Sequence, residues 1–225
     1  MKKLLIFLGL LLLLISPFVV YGSWVFTGGT VAGCTASTPG NDNDEIGHIT
    51  VGASSTTLSS QRMYAWLYAA DCTGDLGTAY VYASSSSASD TKIVVYSTTD
   101  TDTESPPTNG TRIGYTGGIT MGTVAGWVSG AMSSGSVVAG TKYWLAIDLD
   151  ANSNTTLFHD SSGISRHYVV LGGDNSDYTT PPATIPLAGG CIAAGNPWQC
   201  CTGEGTGCGW SSIEARSMSI FVGIE

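Results

Sequence analysis

Apolar residues along this chain recur at every second position, not every third or fourth, and that alternation confines the chain to strands. Thr141 to Asp150 carries it most clearly: Tyr143, Leu145, Ile147 and Leu149 share one face, Trp144, Ala146 and Asp148 the other. The first of these faces is expected to line the core. Arg62 to Ala70 has apolar groups on both faces. In Lys92 to Ser97, Ile93 and Val95 oppose Val94 and Tyr96, as in a strand covered on both sides or lying mid-sheet. Thr78 to Ala83, Arg112 to Tyr115, Val124 to Val128, Thr155 to His159 and Arg166 to Leu171 read as further strands. His48 to Val51 is expected as a short strand after the acidic loop Gly40 to Glu45, and Trp24 and Phe26 alternate in a candidate first one. Met218 to Ile224 puts Met218, Ile220, Val222 and Ile224 on a single face. About ten short strands punctuated by Gly, Ser, Asn and Pro turns mean a β-sandwich.

The first residues carry a different pattern. Lys2 and Lys3 precede an apolar run from Leu4 to Ile15, Pro17 breaks it, and Val20 and Gly22 suit the cleavage site of an export signal. The run falls short of the roughly 20 residues a membrane span needs. Residues 1–22 are therefore expected to be a cleaved signal peptide. Residues 23–225 then form a single β-sandwich domain, secreted or held at the cell surface, with no membrane insertion after cleavage. The formal charge of −9, from 8 Lys and Arg against 17 Asp and Glu, becomes −11 once Lys2 and Lys3 are removed. Neither nucleic acid nor an anionic membrane suits such a partner. Disorder is excluded by 43% hydrophobic residues, with 6 Trp and 10 Tyr.

Six cysteines behind an export signal read as three disulfides whose connectivity stays open: Cys34, Cys72, Cys191, Cys200, Cys201 and Cys208. Cys200 and Cys201 are adjacent and can hardly bond each other. Zinc is disfavoured, because no Cys-x-x-Cys pair occurs and no His lies near the last four. Residues 191–208 are expected as a Gly- and Cys-rich C-terminal loop, stapled by disulfides and displaying Trp198 and Trp210.

Between Thr78 and about Asp160, a third of the chain, one set of motifs recurs from elsewhere. Lys92-Ile-Val-Val-Tyr-Ser97 leads into a polar loop with Pro106-Pro107, then Gly126-Trp127, then Gly140-Thr-Lys-Tyr-Trp-Leu-Ala-Ile147. The pattern resembles the jelly-roll β-sandwich modules of secreted multidomain proteins and surface fibres. That resemblance implies a jelly-roll fold and a non-catalytic glycan-binding or structural role.

Asp148, Asp150, Asn152 and Asn154 space oxygen ligands like the first half of a calcium loop. Ser153 stands where such a loop has Gly, and His159 where it closes with Glu; Asx residues between two strands also mark a turn. The acidic stretches Asn41 to Glu45 and Asp100 to Glu104 would add carboxylates to such a site or stand as solvated loops. No cofactor is expected, calcium being the one candidate. For catalysis, His159-Asp160 precedes Ser161-Ser162, but neighbours on a strand point to opposite faces, and neither a Gly-x-Ser-x-Gly elbow nor a His-Glu-x-x-His motif occurs. The expectation is a secreted non-enzymatic carbohydrate-binding or adhesion module, with Trp127, Trp198 and Trp210 stacking on sugar rings. The alternative is a structural subunit of a filament, matrix or surface layer, in which Trp24 to Thr27 completes a neighbour's sheet. Expected partners are glycans or other copies of the chain.

Overall fold

The alternating segments become strands wherever one of their faces finds cover. A computed structural model describes residues 33–58, 62–85, 89–101, 109–149, 154–160, 167–171, 180–185, 211–213 and 217–225. In chain order the strands are β1 (Glu45–Gly47), β2 (Ser54–Leu58), β3 (Arg62–Ala69), β4 (Gly74–Ser85) and β5 (Ser89–Ser97). Then come β6 (Thr111–Tyr115), β7 (Ile119–Met121), β8 (Gly126–Ala131), β9 (Ser136–Val137) and β10 (Lys142–Leu149). β11 (Thr155–Asp160), β12 (His167–Leu171), β13 (Ser211–Ile213), β14 (Ser217–Met218) and β15 (Ile220–Ile224) follow, with no helix among the described residues.

These strands form two antiparallel sheets. The eight-stranded sheet runs β1-β15-β4-β11-β14, with β2 on β11 and β8 and β9 on β4. The seven-stranded sheet runs β13-β12-β3-β10-β5-β6, with β7 on β5. Side chains of both sheets meet in one core: Tyr64, Trp66, Ile93, Val95, Leu145 and Ile147 from one, Val81, Leu157, Ile220 and Val222 from the other. The protein is therefore all-β and sandwich-like.

The seven-stranded sheet is also buried on its outer face. Met63, Ala65, Leu67, Val94, Tyr96, Trp144 and Ala146 form a second apolar cluster with Ile185. The segment 181–185 reaches this face through backbone bonds, Ile185 N–H to the Gly110 carbonyl (2.9 Å) and Arg112 N–H to the Ala183 carbonyl (2.8 Å). The Tyr96 hydroxyl donates to the Pro182 carbonyl at 3.2 Å. Strands covered on both faces lose the polar-out half of the alternation, and β3, β5 and β10 show this loss.

Two boundaries differ from the sequence pattern for physical reasons. His48 to Val51 is not a strand. Pairing with β15 ends at Gly47, which holds φ at +130°, where a Cβ would stand 2.2 Å from the Ile220 carbonyl oxygen. The chain then leaves the sheet and crosses the outer surface. Val124 to Val128 shifts to Gly126–Ala131, because Val124 is 83% exposed and β8 takes its register from Tyr82 opposite Trp127.

Candidate functional site

On the outer face of the eight-stranded sheet, the positions alternate with the core residues Ala79, Val81 and Leu157, and they are aromatic. Tyr80 and Tyr82 come from β4, Trp127 from β8, Phe158 from β11 and Phe221 from β15. Cross-strand register brings them together, with Tyr80 opposite Phe221 and Tyr82 opposite Trp127. Tyr80 stacks on Phe221 at 4.9 Å, while Tyr82 meets Trp127 edge-on at 5.4 Å and Phe158 at 5.1 Å. Trp127 meets Phe221 edge-on at 5.4 Å. Each contact has the offset or edge-to-face geometry that aromatic rings prefer. Phe221 is wholly buried, whereas Trp127 stays half-buried and open on one side.

The chain leaving Gly47 forms a wall beside Trp127. Its path is fastened at both ends: His48 N–H donates to the Ile220 carbonyl at 2.8 Å, and Gly52 N–H to Ser219 Oγ at 2.9 Å. Asp160 grips the same stretch twice. Its Oδ2 lies 3.1 Å from His48 Nε2, and its Oδ1 accepts from Ala53 N–H at 3.2 Å. These contacts hold the Asp160 carboxyl below the usual carboxylate range, the His48 bond contributing most and the Ala53 bond next. A second wall comes from a tight turn in which Thr38 and Asn41 exchange backbone bonds of 3.1 and 2.8 Å, with Gly40 at φ +84°. Between the walls lies a cleft of about 420 Å³, lined by Gly40, Asp42, Ile49, Thr50, Val51 and Trp127.

The chain that follows this turn is acidic. Glu45 is buried in β1 with Oε2 unpartnered. Burial pushes its carboxyl up to about 7, against a hydrogen bond from Ser37, and the charges of Asp42, Asp71 and Asp44 add to the rise. Asp71 is raised too, first by burial and then by Asp42 and Asp44. A carboxyl that titrates near 7 when folded and near 4.5 when unfolded binds more protons in the native state between those values. Stability should therefore fall as pH rises through that window and level off above it. Glu45→Gln removes the ionisation. We expect the variant to melt above the parent at about pH 8 and to lose that advantage by about pH 4, followed by thermal melts across the range.

The site residues expected from the sequence fall in different places. Trp127 lines the cleft. Trp198 and Trp210 lie outside the described residues, as do Cys191, Cys200, Cys201 and Cys208. Cys34 and Cys72 form a disulfide. Asp148 is buried in β10, on the Trp144 side of the strand; Asn154 is exposed just before β11. Asp150 and Asn152 lie outside the described residues. Among the described residues, one group of three His, Cys, Asp or Glu ligands has its atoms within 4.8 Å of one another: Cys34, Asp44 and Cys72. Its two sulfurs are already bonded to each other, so it offers no ion a thiolate. His159 is buried, and its neighbour Asp160 turns to the opposite face and bonds His48. Asp42 and the wall Ile49 to Val51 were not singled out by sequence. The acidic run was the only signal, and the wall Ile49 to Val51 exists only because Gly47 ends β1.

Compared with family models, with curated proteins and with solved structures, the chain matches none of them. The fold itself defines the class: an all-β, sandwich-like protein carrying a disulfide.

Proposed function

We propose that this chain is a secreted, non-enzymatic protein that acts as a carbohydrate-binding or adhesion module at the cell surface, on a jelly-roll-type sandwich with a disulfide-stapled C-terminal loop. The observation that carries the proposal is the cleft at Trp127. An indole with one open side stands over a floor of packed aromatic rings, with the Asp42 carboxylate and the Thr50 hydroxyl in the same lining. Sugar rings present apolar C–H faces to aromatic side chains and hydroxyl edges to carboxylates, and this lining offers both. The Cys34–Cys72 bond and the signal-like residues 1–22 support export. Catalysis is left out of the proposal because the sequence carries no nucleophile or metalloenzyme motif.

A glycan array followed by titration calorimetry tests this reading. Trp127→Ala should weaken glycan binding about tenfold, the scale of one aromatic contact with the area it buries. Trp127→Phe should retain part of the affinity and the melting temperature. Absence of glycan binding by the parent, or unchanged affinity in Trp127→Ala, would overturn the reading.

A second reading, a filament or surface-layer subunit assembled by strand addition, is favoured by β2. Ser54–Leu58 is hydroxyl-rich and pairs only with β11 among the described strands, leaving an edge for a neighbour's strand. Concentration-dependent assembly seen by size analysis and electron microscopy would support it. A strictly monomeric protein would defeat it.

A further inference from the structure

We infer that the Trp127 cleft is specific for β-linked pyranosides whose ring hydroxyls are all equatorial, of the gluco type, over their galacto and manno epimers. The inference deepens the glycan-binding reading and rests on it.

Apolar groups reach this cleft from two separate stretches of chain. Trp127 comes from β8, and Ile49 and Val51 come from the crossing of residues 48–52. Val51 is 41% exposed, and the bonds that fasten the crossing at His48, Gly52 and Ala53 hold it beside the half-buried indole. Ile49 is half-buried in the same wall. Polar side chains enter the lining from Asp42 and Thr50, both exposed. At about 420 Å³ the cleft falls in the range of small-molecule sites, roughly 300–1,000 Å³.

A pyranose ring has two faces and an edge. In the gluco configuration every ring hydroxyl lies at the edge, so both faces present only C–H groups. The galacto and manno epimers each turn one hydroxyl axial, which makes one face polar. A single aromatic platform accepts all three, since each keeps one apolar face. A cleft that is apolar on two sides does not. The edge hydroxyls need Asp42, Thr50 or water, so a ring lodged here gives one face to Trp127 and the other to Ile49 and Val51. Whichever way the ring is turned, an axial hydroxyl then lies against indole or aliphatic carbon, stripped of water and without a partner. An α-linkage fails in the same way, because it sets the glycosidic oxygen axial. Charge plays no part in this selection, for the three epimers are neutral isomers of equal size.

The test titrates β-linked oligomers of glucose, galactose and mannose, equal in length, into the full protein by calorimetry. The gluco oligomer should bind about tenfold tighter than either epimer, or more, the penalty of one desolvated hydroxyl. Val51→Thr stays close in shape and sets a hydroxyl on the wall; Val51 is exposed, so the variant should fold as the parent does. It should narrow the gap by giving the axial hydroxyl a partner. Val124→Thr, the same exchange at an exposed position outside the lining, should leave the ratio as it is. Equal binding of the three oligomers, tighter binding of the galacto or manno one, an unaltered ratio in Val51→Thr, or an equal change in Val124→Thr would overturn the inference and leave glycan binding standing. Binding of none of the three, with another glycan bound on the array, would do the same. A blank array as well would overturn both.

Discussion

Leu145→Ala is expected to lower stability by about 2–5 kcal/mol and Trp144→Ala by about 3–5 kcal/mol, although the two residues are neighbours whose side chains point in opposite directions. Both are fully buried. Leu145 sits in the core between the sheets, opposite Trp66 on β3 and Val95 on β5. Trp144 lies in the outer cluster, opposite Leu67 and Tyr96, and its indole N–H donates to Asp100 Oδ2 at 2.9 Å. Truncating Leu145 opens a cavity between the sheets. Truncating Trp144 empties a larger space and takes a donor from a buried carboxylate, which adds the desolvation cost of that oxygen. Denaturant melts of the two single variants measure both effects. If Leu145→Ala melted with the parent, the β10 orientation would be wrong; if Trp144→Ala did, the outer face of the seven-stranded sheet would be an exposed surface.

That pair shows how far the sequence could be read. Parity in β10, β5 and β15 was legible because each alternates strongly, and the faces assigned to Leu145, Val95 and Val222 all belong to the intersheet core. Burial of the opposite face was legible in β5, where Val94 and Tyr96 are also apolar. What covers that face was not legible, since Ile185 arrives from about 90 positions away. β2 escaped notice because Ser54-Ser-Thr-Thr57 carries no apolar signal; its pairing with β11 supplies the order. The strand expected at His48 failed for a reason held in one residue, the backbone conformation of Gly47.

The candidate site was legible only in part, and the reason is register. Trp127 was named from a motif, yet the ring set beneath it depends on β4 lying between β8 and β15. No local pattern announces that Tyr80 meets Phe221, 141 positions later. Asp42 stood in a recognisably acidic loop, but its place in a cleft follows from the crossing of residues 48–52, which the expected strand concealed.

Loss of the Cys34–Cys72 bond should be the other large effect. The bond closes a loop with a sequence separation of 38, for which chain entropy predicts a loss of about 4 kcal/mol on removal. For a domain of this size that corresponds to a fall of roughly 8–16 °C in melting temperature. The closed loop contains the turn bearing Gly40 and Asp42, all of β1 and the cleft wall 48–52. Within the turn the ties are short-range: Thr35 N–H to Asp44 Oδ2 at 2.8 Å and Asn43 N–H to Ser37 Oγ at 2.8 Å. Its outward ties include the disulfide and the bond from Ile224 N–H to the Asp44 carbonyl, 2.9 Å. A double variant, Cys34→Ser with Cys72→Ser, therefore keeps the turn's own bonds but loses its covalent hold on the chain after β3. It should melt well below the oxidised parent, and at temperatures where it is still folded its glycan affinity should fall, because Asp42 is no longer held against Trp127. A double variant that melts with the oxidised parent would show that the bond adds no stability and that hydrogen bonding alone holds the acidic wall.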